Sequence, residues 1–218
     1  LIGFAPNASE LLALPDPDTF CQLPWNKRMA RVFCTCFYSR EDPDKPCQYL
    51  DGDSRGNLKR IDARFRTDHG MHLRVGCEPE MLWLKPGDDN EPYKGTTKPY
   101  AYHIDQFEQL SEVWLRVYDY AISMGLDIIQ GDHEDAPGQI ELNWTYDDAL
   151  RTSDRLTTYR QICAQVAREN NLIACFMAKP FMGVSANGCH HNMSLWRGGE
   201  DALVNTPHSD SRPGIDGV

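Results

Sequence analysis

No cluster of Lys and Arg occurs anywhere in these 218 residues, and the formal net charge is −10. Nucleic acid and anionic membrane surfaces are bound through clustered basic side chains, so neither is expected as a partner. No apolar stretch approaches the ~20 residues that span a bilayer. The N-terminus also lacks a basic region followed by an apolar core, so no secretory signal is read and the expected compartment is cytoplasmic. No second Cys or His pair follows Cys34 and Cys36 at zinc-site spacing, and the eight scattered cysteines are read as reduced, packed thiols. The segment GVSANG lacks the Lys and Ser/Thr that complete a phosphate-cradling P-loop. There is no internal repeat, no low-complexity tract and no initiating Met. The chain opens on LIGFAP, closes on GIDGV, and is read as an internal fragment of something longer.

What is present is a 41% hydrophobic chain able to bury a real core. Short apolar runs broken by Pro, Asp and Gly up to about residue 66 predict short strands and turns, with a charged loop from Ser39 to Pro46. DGDSRGNLKR leads into a helix expected around Leu58 to Phe65, and residues 71–84 predict a strand. An exposed loop is expected from Lys85 to Pro99. Asp105 is the expected N-cap of the next helix, with Glu108 as its capping-box partner and Phe107, Leu110, Trp114, Val117 and Ala121 as its apolar stripe; Gly125 ends it. LDIIQ and IELNWTY predict the two arms of a hairpin. A further helix over about 147–170 buries Tyr159, Ile162, Cys163, Val166 and Ala167. LIACFMAK and GCHHNMSLW are expected as strands. The order predicts an α+β fold with a largely antiparallel sheet.

The chemistry concentrates in three places. In EDAPGQIE, Pro137 and Gly138 fit the central positions of a type II turn. A reversal there pairs 136 with 139 and 135 with 140, which sets Glu134 opposite Glu141. Like charges facing each other across a strand pair repel, so the arrangement asks for a cation. Glu78 and Glu80 alternate onto one strand face about 7 Å apart. Pro79 between them removes a ladder donor, which predicts an edge or distorted strand beside a site. On the last strand His190, Asn192 and Ser194 share a face. Taken singly, each feature is an ordinary solvated face, turn or structural histidine, and His133 and His191 are read as structural. Taken together, four carboxylates and one imidazole on sheet elements favour Mg²⁺ or Mn²⁺ over Zn²⁺. Five ligands exceed one such ion, so two neighbouring ions of the kind that clamp phosphates are expected.

GCEPEMLWL, EDAPGQIELN and KPFMGVSANGCHHNMSLW, in this order, resemble the G-x-E-x-E, E-x-x-P-G-Q-x-E and ATP-binding segments of the glutamine synthetase family. PDPDTFCQLPW and DSRGNLKR match weaker upstream features, and the resemblance runs over roughly residues 8–200. It implies that 1–66 is the end of a β-grasp N-terminal domain and 67–218 the first half of the catalytic domain. The implied activity is ATP-dependent ligation of glutamate and ammonia into a γ-glutamyl amide through γ-glutamyl phosphate. An organic amine or polyamine as co-substrate, and a non-catalytic structural or regulatory member of the fold, remain open alternatives. By position, Glu80, Glu134 and Glu141 would bind one Mg²⁺ or Mn²⁺, and Glu78 and His190 a second. Asn192 and Ser194 would contact ATP. Glu80, Glu134, His190, Ser185 and Ala186 would line the substrate site, and the last two depart from the Asn and Gly of many members. Family members form ring-shaped homo-oligomers and take further groups, the catalytic ones included, from segments not found in this sequence. The isolated chain is therefore expected to be inactive.

Overall fold

The computed structural model describes residues 10–96, 98 and 101–201; LIGFAP, GIDGV and Pro99 fall outside the described residues. Strands and helices follow the order β1 (Leu12–Pro15), β2 (Cys21–Leu23), β3 (Asn26–Arg31), β4 (Cys34–Phe37), α1 (Ser54–His69) and β5 (His72–Leu84). Then come α2 (Ile104–Gln109), α3 (Ser111–Ser123), β6 (Ile128–His133), β7 (Gln139–Trp144), β8 (Asp147–Asp148) and α4 (Ala149–Glu169). β9 (Ile173–Cys175), β10 (Cys189–Arg197) and β11 (Glu200–Asp201) complete the order. The described residues divide into two compact units, one holding 10–74, 148–150 and 194–201, the other those of 75–147 and 151–193. The α+β class and the antiparallel pairing expected from the sequence are both present.

In the first unit β1 pairs with β4 and β2 with β3. Helix α1 starts four residues before the expected Leu58 because Asp53 caps it, accepting from the Arg55 and Gly56 N–H groups. The same carboxylate takes the Cys36 N–H at 2.9 Å, which ties the helix start to β4. Arg55 adds an ion pair to Asp16 at 2.8 Å.

The second unit carries the chemistry-bearing strands in the order β10-β5-β7-β6, with β9 also paired to β5. β5 is therefore an internal strand, and the edge position expected from Pro79 is corrected. β7 pairs with β5 from Glu80 to Leu82, so Pro79 lies just before the segment where a ladder donor toward β7 would matter. The core beneath contains Met81, Leu82 and Trp83 of β5 with Tyr159, Ile162, Cys163 and Val166 of α4, all fully buried. The single helix expected from Asp105 is two helices broken at Leu110. His103 occupies the N-cap without a side-chain bond, and Asp105 sits inside the first turn, so no capping box forms. A carboxylate there still favours the positive end of the helix dipole. Trp114 donates its indole N–H to the Phe107 carbonyl at 3.2 Å and stacks on the Phe107 ring, which holds the two helices together at the break.

The Pro137–Gly138 turn forms as expected, closed by Gln139 N–H to the Ala136 carbonyl at 3.0 Å, with Gly138 at φ +73°. A Cβ at Gly138 would meet the Trp83 carbonyl oxygen at 2.9 Å and the Lys94 oxygen at 3.3 Å. Backbone strain and a clash with backbone atoms therefore coincide. Gly138→Ala is expected to destabilise the fold by about 1–3 kcal/mol, read as a lower urea midpoint with an unchanged slope.

Candidate functional site

The register of the β6–β7 hairpin differs from the sequence expectation. Asp132, not Glu134, pairs with Glu141, and His133 pairs with Ile140. The Gln139 side chain causes the offset, because its Oε1 accepts the Ala136 N–H at 2.9 Å and draws Asp135 and Ala136 out of the ladder. Glu134 remains tied in by its own N–H to the Gln139 carbonyl at 3.1 Å, one residue past the end of β6. On its other side Glu141 pairs directly with Glu80 of β5.

Three carboxylates from three chain segments thus converge. Glu80, Glu134 and Glu141 each offer an oxygen within 4.8 Å of the others. Gln139, fully buried, donates its amide to Glu80 Oε2 at 2.8 Å, to the Ala186 carbonyl at 3.0 Å and to Asn187 Oδ1 at 2.9 Å. Asn143 donates to Glu141 Oε1 at 2.8 Å. These neutral amides orient the acids without cancelling their charge. Gly188 fits close beneath Glu80, where a Cβ would lie 2.6 Å from Oε1.

Burial first, then the charges of Glu80 and Glu141, push the Glu134 carboxyl up to about 7. Burial likewise raises Glu141, against the Asn143 hydrogen bond. A low-dielectric site bringing three acids together suits a divalent cation with oxygen ligands, so these residues fit Mg²⁺ or Mn²⁺. The sign for stability follows. Because the folded pKa of Glu134 lies above the ordinary 4.5, the folded state binds more protons, and its contribution to stability falls from about pH 4.5 to about 7. The metal-free protein is expected to lose thermal stability across that window relative to Glu134→Gln. Mn²⁺ should raise the melting temperature more at about pH 8 than at about pH 5, as calorimetry would show.

Glu78, Asn192 and His190 form a neighbouring group. Asn192 donates to Glu78 Oε1 at 2.7 Å, and His190 Nδ1 lies 3.5 Å from Glu78 Oε2. Among the described residues no third His, Cys, Asp or Glu joins Glu78 and His190 within ligand range. Ser185 Oγ donates to Asp135 Oδ2 at 3.1 Å, and Ala186 offers its carbonyl to Gln139. Both therefore lie in the network around the acids. Ser194 belongs to the first unit, where its Oγ accepts the Trp196 indole N–H at 2.8 Å. Gln139, Asn143, Asp135 and Gly188 were not foreseen as site residues. Gln139 stood inside the PGQ turn and Gly188 just before the final strand, but their contacts depend on the register and on a strand neighbour distant in sequence.

The profile of the family described as glutamine synthetase, catalytic domain, matches residues 51–212. Glutamine synthetase of Rhizobium meliloti (strain 1021) is 35% identical over 193 residues, covering 88% of this chain and 42% of that protein. The enzyme of Methanococcus voltae is 30% identical over 205 residues, covering 89% and 43%. The chain thus spans less than half the length of these relatives. A solved GmaS–ADP complex superposes with a TM-score of 0.84 at 31% identity, covering 95% of this chain and 47% of that one. A novel glutamine synthase homologue, 20% identical with a TM-score of 0.76, shares the fold. No helix among the described residues is long and apolar enough to cross a membrane. With the G-x-E-x-E strand, the P-G-Q turn and the last strand assembled around three converging acids, the chain belongs to the glutamine synthetase family.

Proposed function

We propose that the full-length protein is an ATP-dependent ligase that joins the γ-carboxylate of glutamate to ammonia. The observation that carries this reading is the convergence of Glu80, Glu134 and Glu141 in a chain of this family. Glu80, Glu134 and Glu141 would hold one Mg²⁺ or Mn²⁺, and Glu78 with His190 a second. When bound, the ions neutralise charge on the nucleotide phosphates and on the carboxylate being activated. The chain's own groups set the geometry. Gln139 fixes Glu80, Asn143 fixes Glu141, and Asn192 orients Glu78. Asn192 and Ser194 are assigned to ATP, and Ser185, Ala186, Glu80, Glu134 and His190 to the amino-acid substrate. Residues 1–66 are assigned to the end of a β-grasp domain and 67–218 to the first half of the catalytic domain. The protein is assigned to a cytoplasmic ring-shaped homo-oligomer.

A second reading, an organic amine in place of ammonia, is supported by the likeness to GmaS, a γ-glutamylmethylamide synthetase. The Ser185 and Ala186 departures point the same way. Phosphate release by the full-length protein with ATP and glutamate, compared across ammonia, methylamine, ethanolamine and spermidine, tests both. Ammonia is expected to give the highest kcat/KM; a higher value for an organic amine establishes the second reading. A folded protein that releases no phosphate with any amine would overturn both.

A further inference from the structure

The face of the strand pair opposite Glu78 and His190 carries a different donor set. Strand β10 neighbours β5 in the sheet. Side chains alternate along each strand, so Glu78 meets His190 and Asn192 on one face, while Cys77 meets Cys189 and His191 on the other. The two sulfurs lie 3.7 Å apart and the Cys189 sulfur lies 3.8 Å from His191 Nε2. All three ligand atoms fall within 4.8 Å of one another. Cys77 is 112 residues from Cys189 in sequence, so zinc-site spacing could not reveal the group. His191, read from the sequence as structural, is exposed beside the Cys189 thiol.

The two separations about the Cys189 sulfur suit one ion. With Zn–S about 2.3 Å and Zn–N about 2.0–2.1 Å, the edges of a zinc tetrahedron are about 3.8 Å between sulfurs and about 3.6 Å from sulfur to nitrogen. A disulfide needs sulfurs about 2.05 Å apart and leaves the imidazole without a part. Thiolate and imidazole donors select Zn²⁺ over the Mg²⁺ or Mn²⁺ that the acids of the other face prefer. Cys77 is buried, whereas Cys189 and His191 are exposed, so an ion can enter from solvent and keep a water as its fourth ligand.

We propose that Cys77, Cys189 and His191 form a Zn²⁺ site that fastens β5 to β10 behind the face carrying Glu78 and His190. The site stands independently of the ligase reading, since its donors, ion and face are all different.

The test uses the reduced full-length protein in excess Mg²⁺, titrated with Co²⁺ as a spectroscopic stand-in for Zn²⁺. One equivalent is expected to produce a thiolate-to-cobalt charge-transfer band together with the visible bands of a tetrahedral ion, both bleached by Zn²⁺. The exposed variants Cys189→Ser and His191→Gln should keep the wild-type circular dichroism. C189S should lose the charge-transfer band, and H191Q should weaken Co²⁺ binding at least about tenfold. Cys77→Ser, at a buried position, should also lose the band. Absence of the band in the wild type, or its persistence in C189S or with undiminished affinity in H191Q, would overturn the proposal.

Discussion

Glu134→Gln in the full-length protein is expected to reduce γ-glutamyl amide formation at least about 100-fold, equivalent to roughly 2.7 kcal/mol of transition-state stabilisation. The substitution keeps the size of the side chain and removes only its charge. That charge is the costly one, since burial and the two neighbouring acids raise the carboxyl to about 7. The same change should therefore raise the melting temperature of the metal-free protein at neutral pH, because one of three mutually repelling carboxylates is gone. A more stable but inactive protein separates a lost ligand from a damaged fold. Reduced activity accompanied by a lower melting temperature would instead point to a packing role for Glu134.

Gly188→Ala should produce the next largest effect, through a single methyl group. The added Cβ would stand 2.6 Å from Glu80 Oε1 and 3.3 Å from its Cδ. Gly188 is not among the residues at positive φ, so an alanine suits the backbone, and the conflict lies with side chains: most severely the Glu80 carboxylate, then the His190 ring, whose Cε1 lies at 3.3 Å. Glu80 can yield only by leaving the Gln139 amide, 2.8 Å away, and its place beside Glu134 and Glu141. Divalent-ion affinity is expected to fall at least about tenfold, or roughly 1.4 kcal/mol, with a small change in melting temperature. Calorimetric Mn²⁺ titration beside a thermal scan measures both. A large stability loss with unchanged affinity would place Gly188 in the fold rather than the site.

Local patterns foretold the parts of the site that depend on neighbours in sequence. Period-two alternation set Glu78 with Glu80 on one face of their strand and His190 with Asn192 on one face of theirs, and the Pro137–Gly138 pair signalled the turn. Long-range pairing was not legible in the same way. The hairpin register goes with one hydrogen bond that the Gln139 side chain accepts from the Ala136 N–H, and Asp132 rather than Glu134 stands opposite Glu141. Pro79 suggested an edge or a distorted strand beside a site, and strands flank β5 on both sides, which removes the edge reading. The capping box at Asp105 failed because the helix starts at Ile104 with His103 at the N-cap, which leaves Asp105 inside the first turn. Gly188 acquires its meaning only from Glu80, more than a hundred residues away, which no local pattern encodes. The five apolar residues expected in the stripe of α4 are all buried, as helical spacing sets; the buried Thr152, Arg155 and Thr158 of the same helix were not foreseen.

The central claim is that Glu80, Glu134 and Glu141 hold a divalent cation. Its most direct test is Mn²⁺ titration of the full-length protein at about pH 8, above the raised Glu134 pKa, followed by the electron paramagnetic resonance of free Mn²⁺. The wild type should bind Mn²⁺ saturably, and E80Q, E134Q and E141Q should each bind it much more weakly while remaining folded. Equal Mn²⁺ binding by the wild type and all three variants would contradict the account.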